Sequence, residues 1–66
     1  MKNTVKVERA KLNITQEELA KGVNVSRQTI NSIETSRYDP SVVLSLKIAK
    51  FFKTTVDEIF TLEKND

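Results

Sequence analysis

Residues 15–34 read TQEELAKGVNVSRQTINSIE, and this stretch decides the fold. It contains two helical patterns with a very short turn between them. Thr15 and Glu18 have the spacing of a capping box, which begins the first helix, and Ser26 is placed as the N-cap of the second. A turn this short needs a left-handed residue, and Asn24 is the best candidate other than Gly. The sequence therefore predicts two closely packed helices that turn at Asn24.

The residues around this turn favour close helix packing. Ala20 lies one helical turn before Asn24, where a larger side chain would hold the second helix away, and Val25 fills the gap beneath. Gly22 costs up to ~1 kcal/mol against Ala near a helix end, and we interpret it as softening the end of the first helix. Apolar residues at helical spacing form the predicted inner faces of the pair: Leu19, Ala20, Val23, Ile30 and Ile33.

A further helix is predicted near the start of the chain. It begins at Asn3 or Thr4 and ends at Leu12, with Asn13 and Ile14 after it. The helical spacing places Val5, Arg9 and Leu12 on one face. The charged Arg9 therefore lies on a stripe that faces inward.

Two more helices are predicted in the second half of the chain. Pro40 suits the start of a helix over residues 41–52, whose apolar arc is so wide that the helix is central or keeps a face for another subunit. The pattern TVDE at residues 55–58 has capping-box spacing again and begins a short last helix carrying Val56, Ile59 and Phe60. The tail after it either frays or pairs with residues near Met1 as a short strand.

Length and composition restrict the class of function. With 66 residues the chain is expected to form one all-α domain, residues 1–66, of five short helices. The absence of Cys and His excludes thiolate and imidazole metal sites and catalysis by either group, so we expect no enzyme, no metal and no cofactor. The adjacent Glu17 and Glu18 diverge on a solvated helix start and do not form an acid–base pair. No apolar run suits a membrane span or a signal sequence, so a cytoplasmic protein without a membrane partner is expected.

Charge and polarity point to the second helix of the pair. Residues 1–37 carry a net charge of +3 and the remainder −1, which by itself only hints at a polyanionic partner. A polar helix start that projects from a braced helix pair can enter the major groove of DNA and reach base edges. Gln16, at the start of the bracing helix, is expected to place its amide beside a phosphate. The expected base contacts are Ser26, Arg27, Gln28, Asn31 and Ser32.

These residues resemble the Cro/CI-type (XRE family) helix-turn-helix repressors, whose domains are lambda-repressor-like, and especially their small stand-alone members. The matching segments are TQEELA, SRQTI, the Ile33–Glu34 pair, DPS and VDEIF. Asn24 replaces the usual Gly, and Gly22 a usually charged residue. The resemblance implies an ion pair between Arg9 and Glu34. It also implies base recognition by Arg27, Gln28 and Ser32, and phosphate contacts by Gln16, Thr35, Arg37 and Tyr38. Thr29 is a further expected phosphate contact.

The predicted function is sequence-specific regulation of transcription, as a repressor that binds double-stranded DNA as a homodimer on a near-palindromic site. One recognition helix reads too few base pairs for useful specificity, and the apolar groups exceed what so small a monomer buries. An alternative is a protein-interaction module, an antitoxin or anti-regulator with the same fold, and a protein co-regulator stays open. The candidates for the dimer interface are Val43, Phe52, Phe60 and Leu62.

Overall fold

The computed structural model describes all residues, 1–66, and contains five helices and one two-stranded antiparallel sheet. This confirms the predicted all-α fold of five short helices with a terminal β pair. The strands pair Lys2 with Thr61 and Asn3 with Phe60. The elements are β1 (Lys2–Asn3), α1 (Val5–Leu12), α2 (Gln16–Gly22), α3 (Arg27–Glu34), α4 (Val42–Phe51), α5 (Val56–Ile59) and β2 (Phe60–Thr61).

A single core joins all five helices. Each helix contributes at least one side chain that is fully removed from solvent, and burial of each stabilises the fold by roughly 1.5–3 kcal/mol. Ala20 is also buried in this core, and Val25 is half-buried against it, as the packing of the short turn requires. The largest fully buried side chains are Leu19, Ile30, Ile33, Ile48, Ile59 and Val5.

Four helices end in the same backbone motif. At Asn24 the backbone is left-handed, with a φ of 61°, and the next N–H, that of Val25, donates to the Ala20 carbonyl at 2.9 Å. This is a Schellman motif, which satisfies carbonyls at the helix end and reverses the chain. The predicted pivot at Asn24 is therefore confirmed. The equivalent left-handed residues after α1, α3 and α4 are Asn13, Ser36 and Lys53.

The predicted capping boxes have different outcomes. Thr15 and Glu18 form theirs: the Glu18 N–H donates to Thr15 Oγ1 at 3.0 Å, and the Thr15 N–H donates to Glu18 Oε1 at 2.9 Å. The second box, predicted at residues 55–58, is wrong. Thr55 holds the N-cap position, but its side chain makes no capping hydrogen bond, and the Glu58 N–H donates to the Thr55 backbone carbonyl at 3.2 Å.

Two apolar residues lie elsewhere than predicted. Leu12 was predicted on the inner face of α1, and this is wrong: 54% of its surface is exposed. The left-handed Asn13 turns the chain at this point, and Ile14 packs against the core in its place. Phe60 does not continue the last helix, because its extended backbone pairs with Asn3 in the sheet.

The ends of the chain are joined beside this sheet. The α-amino group of Met1 lies 3.1 Å from carboxylate oxygens of both Glu63 and Asp66. Hydrogen bonds to Asp66 and then Glu63 raise the pKa of this amino group above its ordinary value. The bond from the Glu63 backbone N–H is the main cause that lowers the pKa of Asp66. None of the helices has the length and apolar character needed to cross a bilayer.

Candidate nucleic-acid interface

The N-terminus of α3 presents polar side chains to solvent. Ser26 caps the helix by accepting a hydrogen bond from the Thr29 N–H at 3.1 Å, and the two hydroxyl oxygens lie 2.9 Å apart. The cap fixes the direction in which the first turn projects. Arg27 and Gln28 follow on this turn, both exposed and without a hydrogen bond or ion pair inside the protein. Their full donor capacity is available to a ligand.

An ion pair holds α3 from behind. Arg9 Nε donates to Glu34 Oε2 at 2.6 Å and Arg9 Nη2 donates to Glu34 Oε1 at 3.1 Å, which is a bidentate contact between α1 and the end of α3. Arg9 Nη1 also donates to the Ile14 carbonyl at 2.9 Å. Arg9, the charged residue on the inner face of α1, thus forms the ion pair with Glu34 that the resemblance implies. Because the Glu34 side chain is only 4% exposed and is bonded to Arg9, the pair fixes the end of α3 against α1.

The environment of this pair keeps both groups ionised. Burial by itself raises the pKa of the Glu34 carboxyl, but hydrogen bonds from Arg9 and Gln16 outweigh it and the pKa lies below its ordinary value. The hydrogen bond with Glu34 raises the pKa of Arg9. A carboxylate that is buried and paired in this way is expensive to leave without its partner.

Gln16 is turned inward rather than toward solvent. Its Nε2 donates to Glu34 Oε1 at 3.0 Å and to Asn31 Oδ1 at 3.1 Å, so that α2 is bonded to two successive turns of α3. An amide nitrogen has two hydrogens, and both are used here. The side chain therefore offers no free donor to a phosphate in this arrangement, which differs from the sequence prediction for Gln16.

The loop after α3 brings further predicted residues to the same surface. Arg37 is exposed and has no partner within the protein. Tyr38, 45% exposed, lines a groove on α3 together with Ser26, Gln28, Thr29 and Ser32. Thr35 bonds back to its own helix, with its hydroxyl donating to the Asn31 carbonyl at 2.9 Å. Tertiary structure thus places the loop beside α3.

Lys47 is a residue of this surface that the sequence did not single out. It is exposed on α4 and lines a neighbouring groove with Asn24, Thr29 and Tyr38. Nothing in the helical pattern of α4 distinguishes Lys47 from the other lysines of that helix. Only the packing of α4 against the turn between α2 and α3 brings its charge to this face.

Comparison with known proteins identifies the family. A family profile described as Helix-turn-helix matches residues 5–59, which includes all five helices. The chain belongs to the XRE-type helix-turn-helix family. Members of this family are DNA-binding regulators of transcription, a non-enzymatic kind of protein. No group of three or more acidic, His or Cys side chains in the chain could hold a metal ion.

Relatives of this XRE-type chain occur in archaea and bacteria. A protein of Methanocaldococcus jannaschii named an uncharacterized HTH-type transcriptional regulator is 53% identical over 66 residues, and the match covers all of both chains. A protein of Archaeoglobus fulgidus with the same kind of name is 44% identical, covering all of this chain and 93% of the relative. A Bacillus subtilis protein named the uncharacterized HTH-type transcriptional regulator YgzD is 44% identical over the full length of both chains.

Proposed function

We propose that residues 1–66 act as a single domain that binds double-stranded DNA sequence-specifically and represses transcription, as a homodimer on a near-palindromic operator. The observation that carries the proposal is the exposed first turn of α3. Arg27 and Gln28 have no partners there, while the end of the same helix is fixed by Arg9 and Glu34. A rigid helix with free side chains at its N-terminus is the arrangement that reads base edges in the major groove.

The proposed contacts follow from which groups are free. Arg27 donates to guanine O6 and N7, and Gln28, Asn31, Ser26 and Ser32 line the surface that faces the bases. Arg37 and Lys47 supply unpaired cations to phosphates on the side of the loop, where they are joined by Thr29, Thr35 and Tyr38. Gln16 is not retained as a phosphate contact, because its donors are used within the protein.

A face of α4 and α5 supports the homodimer. Leu46 is 56% exposed and lies with Val56 in two adjoining grooves, one of which also contains Val42. The other groove contains two cations, Lys50 and Lys53, and the anion Asp57. In a two-fold dimer a surface meets its own copy, so a patch that combines an apolar centre with both charges is self-complementary.

The candidates for the dimer interface are revised accordingly. Phe60 is only 6% exposed and lies in the core, so it offers little surface to a partner and is not retained as a candidate. Val43 and Leu62 are exposed and stay candidates, but Val43 lines the groove of Lys47 and Tyr38 rather than this face. Phe52 is half-buried against Phe51. Dimerisation would place two recognition helices about 34 Å apart, one helical turn of DNA.

The test uses fluorescence anisotropy of a labelled duplex from the region upstream of the protein's own gene. The wild type is titrated at two salt concentrations against a scrambled competitor duplex, and we expect binding that resists the competitor and weakens with salt. The double variant Arg27→Ala, Gln28→Ala should lose this binding, whereas Lys64→Ala, in the tail, should keep it. A double variant that binds as well as the wild type would contradict the assignment of α3.

Repression and the protein-interaction alternative need a second readout. A reporter gene behind the bound sequence should be silenced by the wild type and released by the Arg27→Ala, Gln28→Ala variant. If the reporter responds equally to both proteins, the activity does not pass through α3 and the protein acts on another protein instead.

A further inference from the structure

The polar contacts divide the chain into two parts that are joined by its first residues. No hydrogen bond or ion pair connects residues 5–40, which contain α3, directly to residues 41–66, which contain the face of α4 and α5. All such bonds between the two parts pass through residues 1–4. The parts also share the apolar core, but burial of apolar surface has no preferred direction, whereas a hydrogen bond has one. The strand β1 is therefore the element suited to fix the angle between the two parts.

On one side, β1 is tied to the second part along its backbone. Lys2 and Asn3 pair with β2 in the sheet, and the Thr4 N–H donates to the Ile59 carbonyl at 3.0 Å. Ile59 is the last residue of α5, and Val56, the first, lies in the face proposed for the dimer. The position of β1 therefore follows that of α5 and the dimer face.

On the other side, β1 is tied to α3 by the side chain of Asn3. Its Nδ2 donates to the Ile33 carbonyl at 2.9 Å. This carbonyl is among the last four of α3, which have no partner within the helix. The other contacts of residues 1–4 with α3 and its loop are longer, at 3.5 Å from the Ser36 hydroxyl to the Met1 carbonyl and 4.0 Å from the Met1 amino group to Asp39. Asn3 thus makes the one short polar contact between β1 and the end of α3.

A second hydrogen bond orients the Asn3 amide. Its Oδ1 accepts from the Val5 N–H at the start of α1, at 3.2 Å. An N–H only donates and a carbonyl only accepts, so the two bonds together require the oxygen at Val5 and the nitrogen at Ile33. The side chain is therefore held with its donor on α3.

We infer that Asn3 is the positioning residue that sets α3 relative to the dimer face, so that the two copies of α3 reach their half-sites at one spacing. The inference rests on the proposed binding of DNA as a homodimer. Without this bond, the protein keeps its core and the exposed Arg27 and Gln28, but the angle between α3 and the dimer face is no longer held. DNA must then supply the free energy that the bond supplied. The loss falls on sites with two half-sites, because a single half-site does not constrain that angle.

Substitution separates the two hydrogen bonds of Asn3. Asn3→Ser keeps an oxygen for the Val5 N–H, but its hydroxyl is one atom shorter and stops short of the Ile33 carbonyl. Asn3→Asp has the shape of Asn and also keeps that oxygen, but its carboxylate has no donor. The control is Ala10→Gly on α1, which removes one exposed methyl group and destabilises the fold through helix propensity alone.

The experiment begins with selection of duplexes from a randomised pool by the wild type, which gives the full site and its spacing. Anisotropy then measures the affinity of each variant for this site, for the site with one half scrambled, and for sites of altered spacing. Both Asn3 variants should bind the full site more weakly than the wild type by roughly 2- to 12-fold for each protomer, the value of one net hydrogen bond. Their affinity for the single half-site should change less, and their preference for the original spacing should shrink.

The control and the folding state are measured alongside. Ala10→Gly should match the wild type in the ratio of full-site to half-site affinity and in spacing preference, although it is less stable. Light scattering should show a dimer for every variant, and thermal unfolding verifies that each is folded. Should Asn3→Asp fail to fold, Asn3→Ser carries the same test without a new charge.

The outcomes separate this inference from the proposed function. Asn3→Ser with the full-site affinity and spacing preference of the wild type would overturn the inference, as would equal losses on full and single half-sites. A loss in Asn3→Asp alone would assign the effect to its charge and overturn the inference too. A wild type that selects single half-sites without a fixed spacing would overturn the homodimer, and one that enriches no sequence would overturn the proposed DNA binding; either result removes the inference as well.

Discussion

The aromatic ring of Phe51 fills the space beside Gly22 that a side chain would otherwise occupy. A Cβ added to Gly22 would clash with Phe51 Cε2 and lie 2.8 Å from Cδ2, closer than van der Waals contact allows. Phe51 in turn packs edge-on against Phe52, with ring centroids 5.1 Å apart. Gly22 therefore lets the end of α4 approach the end of α2, and this replaces the interpretation that it merely softens a helix end.

Replacement of Gly22 by Ala is expected to destabilise the fold. The added methyl group must displace the Phe51 ring, and overpacking of this kind costs about 1–3 kcal/mol. Helix propensity alone predicts the opposite change, a gain in stability of up to ~1 kcal/mol. Urea unfolding followed by circular dichroism distinguishes the two, with the exposed neighbour Lys21→Ala as the control. A more stable Gly22→Ala variant would contradict the packing argument.

Replacement of Lys53 by Gly is expected to stabilise the fold by about 1 kcal/mol. Lys53 holds a φ of 57° in the Schellman motif after α4, and the left-handed conformation costs a side chain about 1–2 kcal/mol that Gly does not incur. Lys50→Gly removes the same charge and side chain within the helix and should destabilise by about 1 kcal/mol. Thermal unfolding of both variants measures this difference; equal losses would show that φ at residue 53 is not the cause.

The contribution of Glu34 to stability should disappear at acid pH. Its pKa in the folded protein lies below that of an unfolded Glu, about 4.3, so the stabilisation is complete above that pH and is lost as the pH falls through the folded value. The difference in unfolding free energy between wild type and Glu34→Gln should accordingly be constant near neutral pH and shrink below about pH 4.3. Urea titrations at several pH values test this. Glu17→Gln, exposed on α2, gives the background, and a difference that grows toward acid pH would contradict the sign.

Removal of Arg9 should be more severe than removal of its partner. Arg9→Met leaves the Glu34 carboxylate buried without its bidentate donor, which costs about 3–5 kcal/mol. Glu34→Gln, by contrast, leaves a guanidinium that still donates to the Ile14 carbonyl and reaches water more easily, since the Arg9 side chain is 15% exposed and that of Glu34 4%. Unfolding free energies of the two variants at neutral pH provide the comparison. Equal losses would show that burial of the carboxylate is not the dominant cost.

A charge in the face of α4 and α5 should separate the proposed dimer. Leu46→Lys puts an ammonium group into the apolar centre that would meet its own copy, so we expect a monomer by light scattering. Leu12→Lys is a matched control, since Leu12 is 54% exposed and Leu46 is 56% exposed, but Leu12 lies on α1. A Leu46→Lys protein that stays dimeric, or a wild type that is monomeric with and without DNA, would contradict this interface.

Loss of Arg37 should weaken the electrostatic contacts between the protein and the DNA phosphates. Arg37→Ala is expected to weaken binding to all duplexes alike and to reduce the slope of log K against log salt by about 0.9. Arg27→Ala should instead remove the preference at one base pair, a loss of about 1–3 kcal/mol. Anisotropy titrations over a salt series measure both. A change in sequence preference on loss of Arg37 would overturn its assignment to phosphate.

Most of the helical framework could be predicted from local signals. The capping box at Thr15 and Glu18, the cap at Ser26 and the pivot at Asn24 depend on residues three or fewer positions apart, and all three are formed. The box predicted at Thr55 has the same spacing and is not formed, so this spacing alone does not decide whether the side chain caps the helix.

The sequence by itself determined where the helices begin and turn and which first turn is left polar, because caps, left-handed residues and helical periodicity are short-range properties of the chain. Tertiary structure decided what those elements bring together. The fit of Phe51 against Gly22, the strand at Phe60, the inward turn of Gln16 and the place of Lys47 join residues from separate elements. Their contacts depend on how buried surfaces and hydrogen bonds are satisfied together, and no local pattern contains that information.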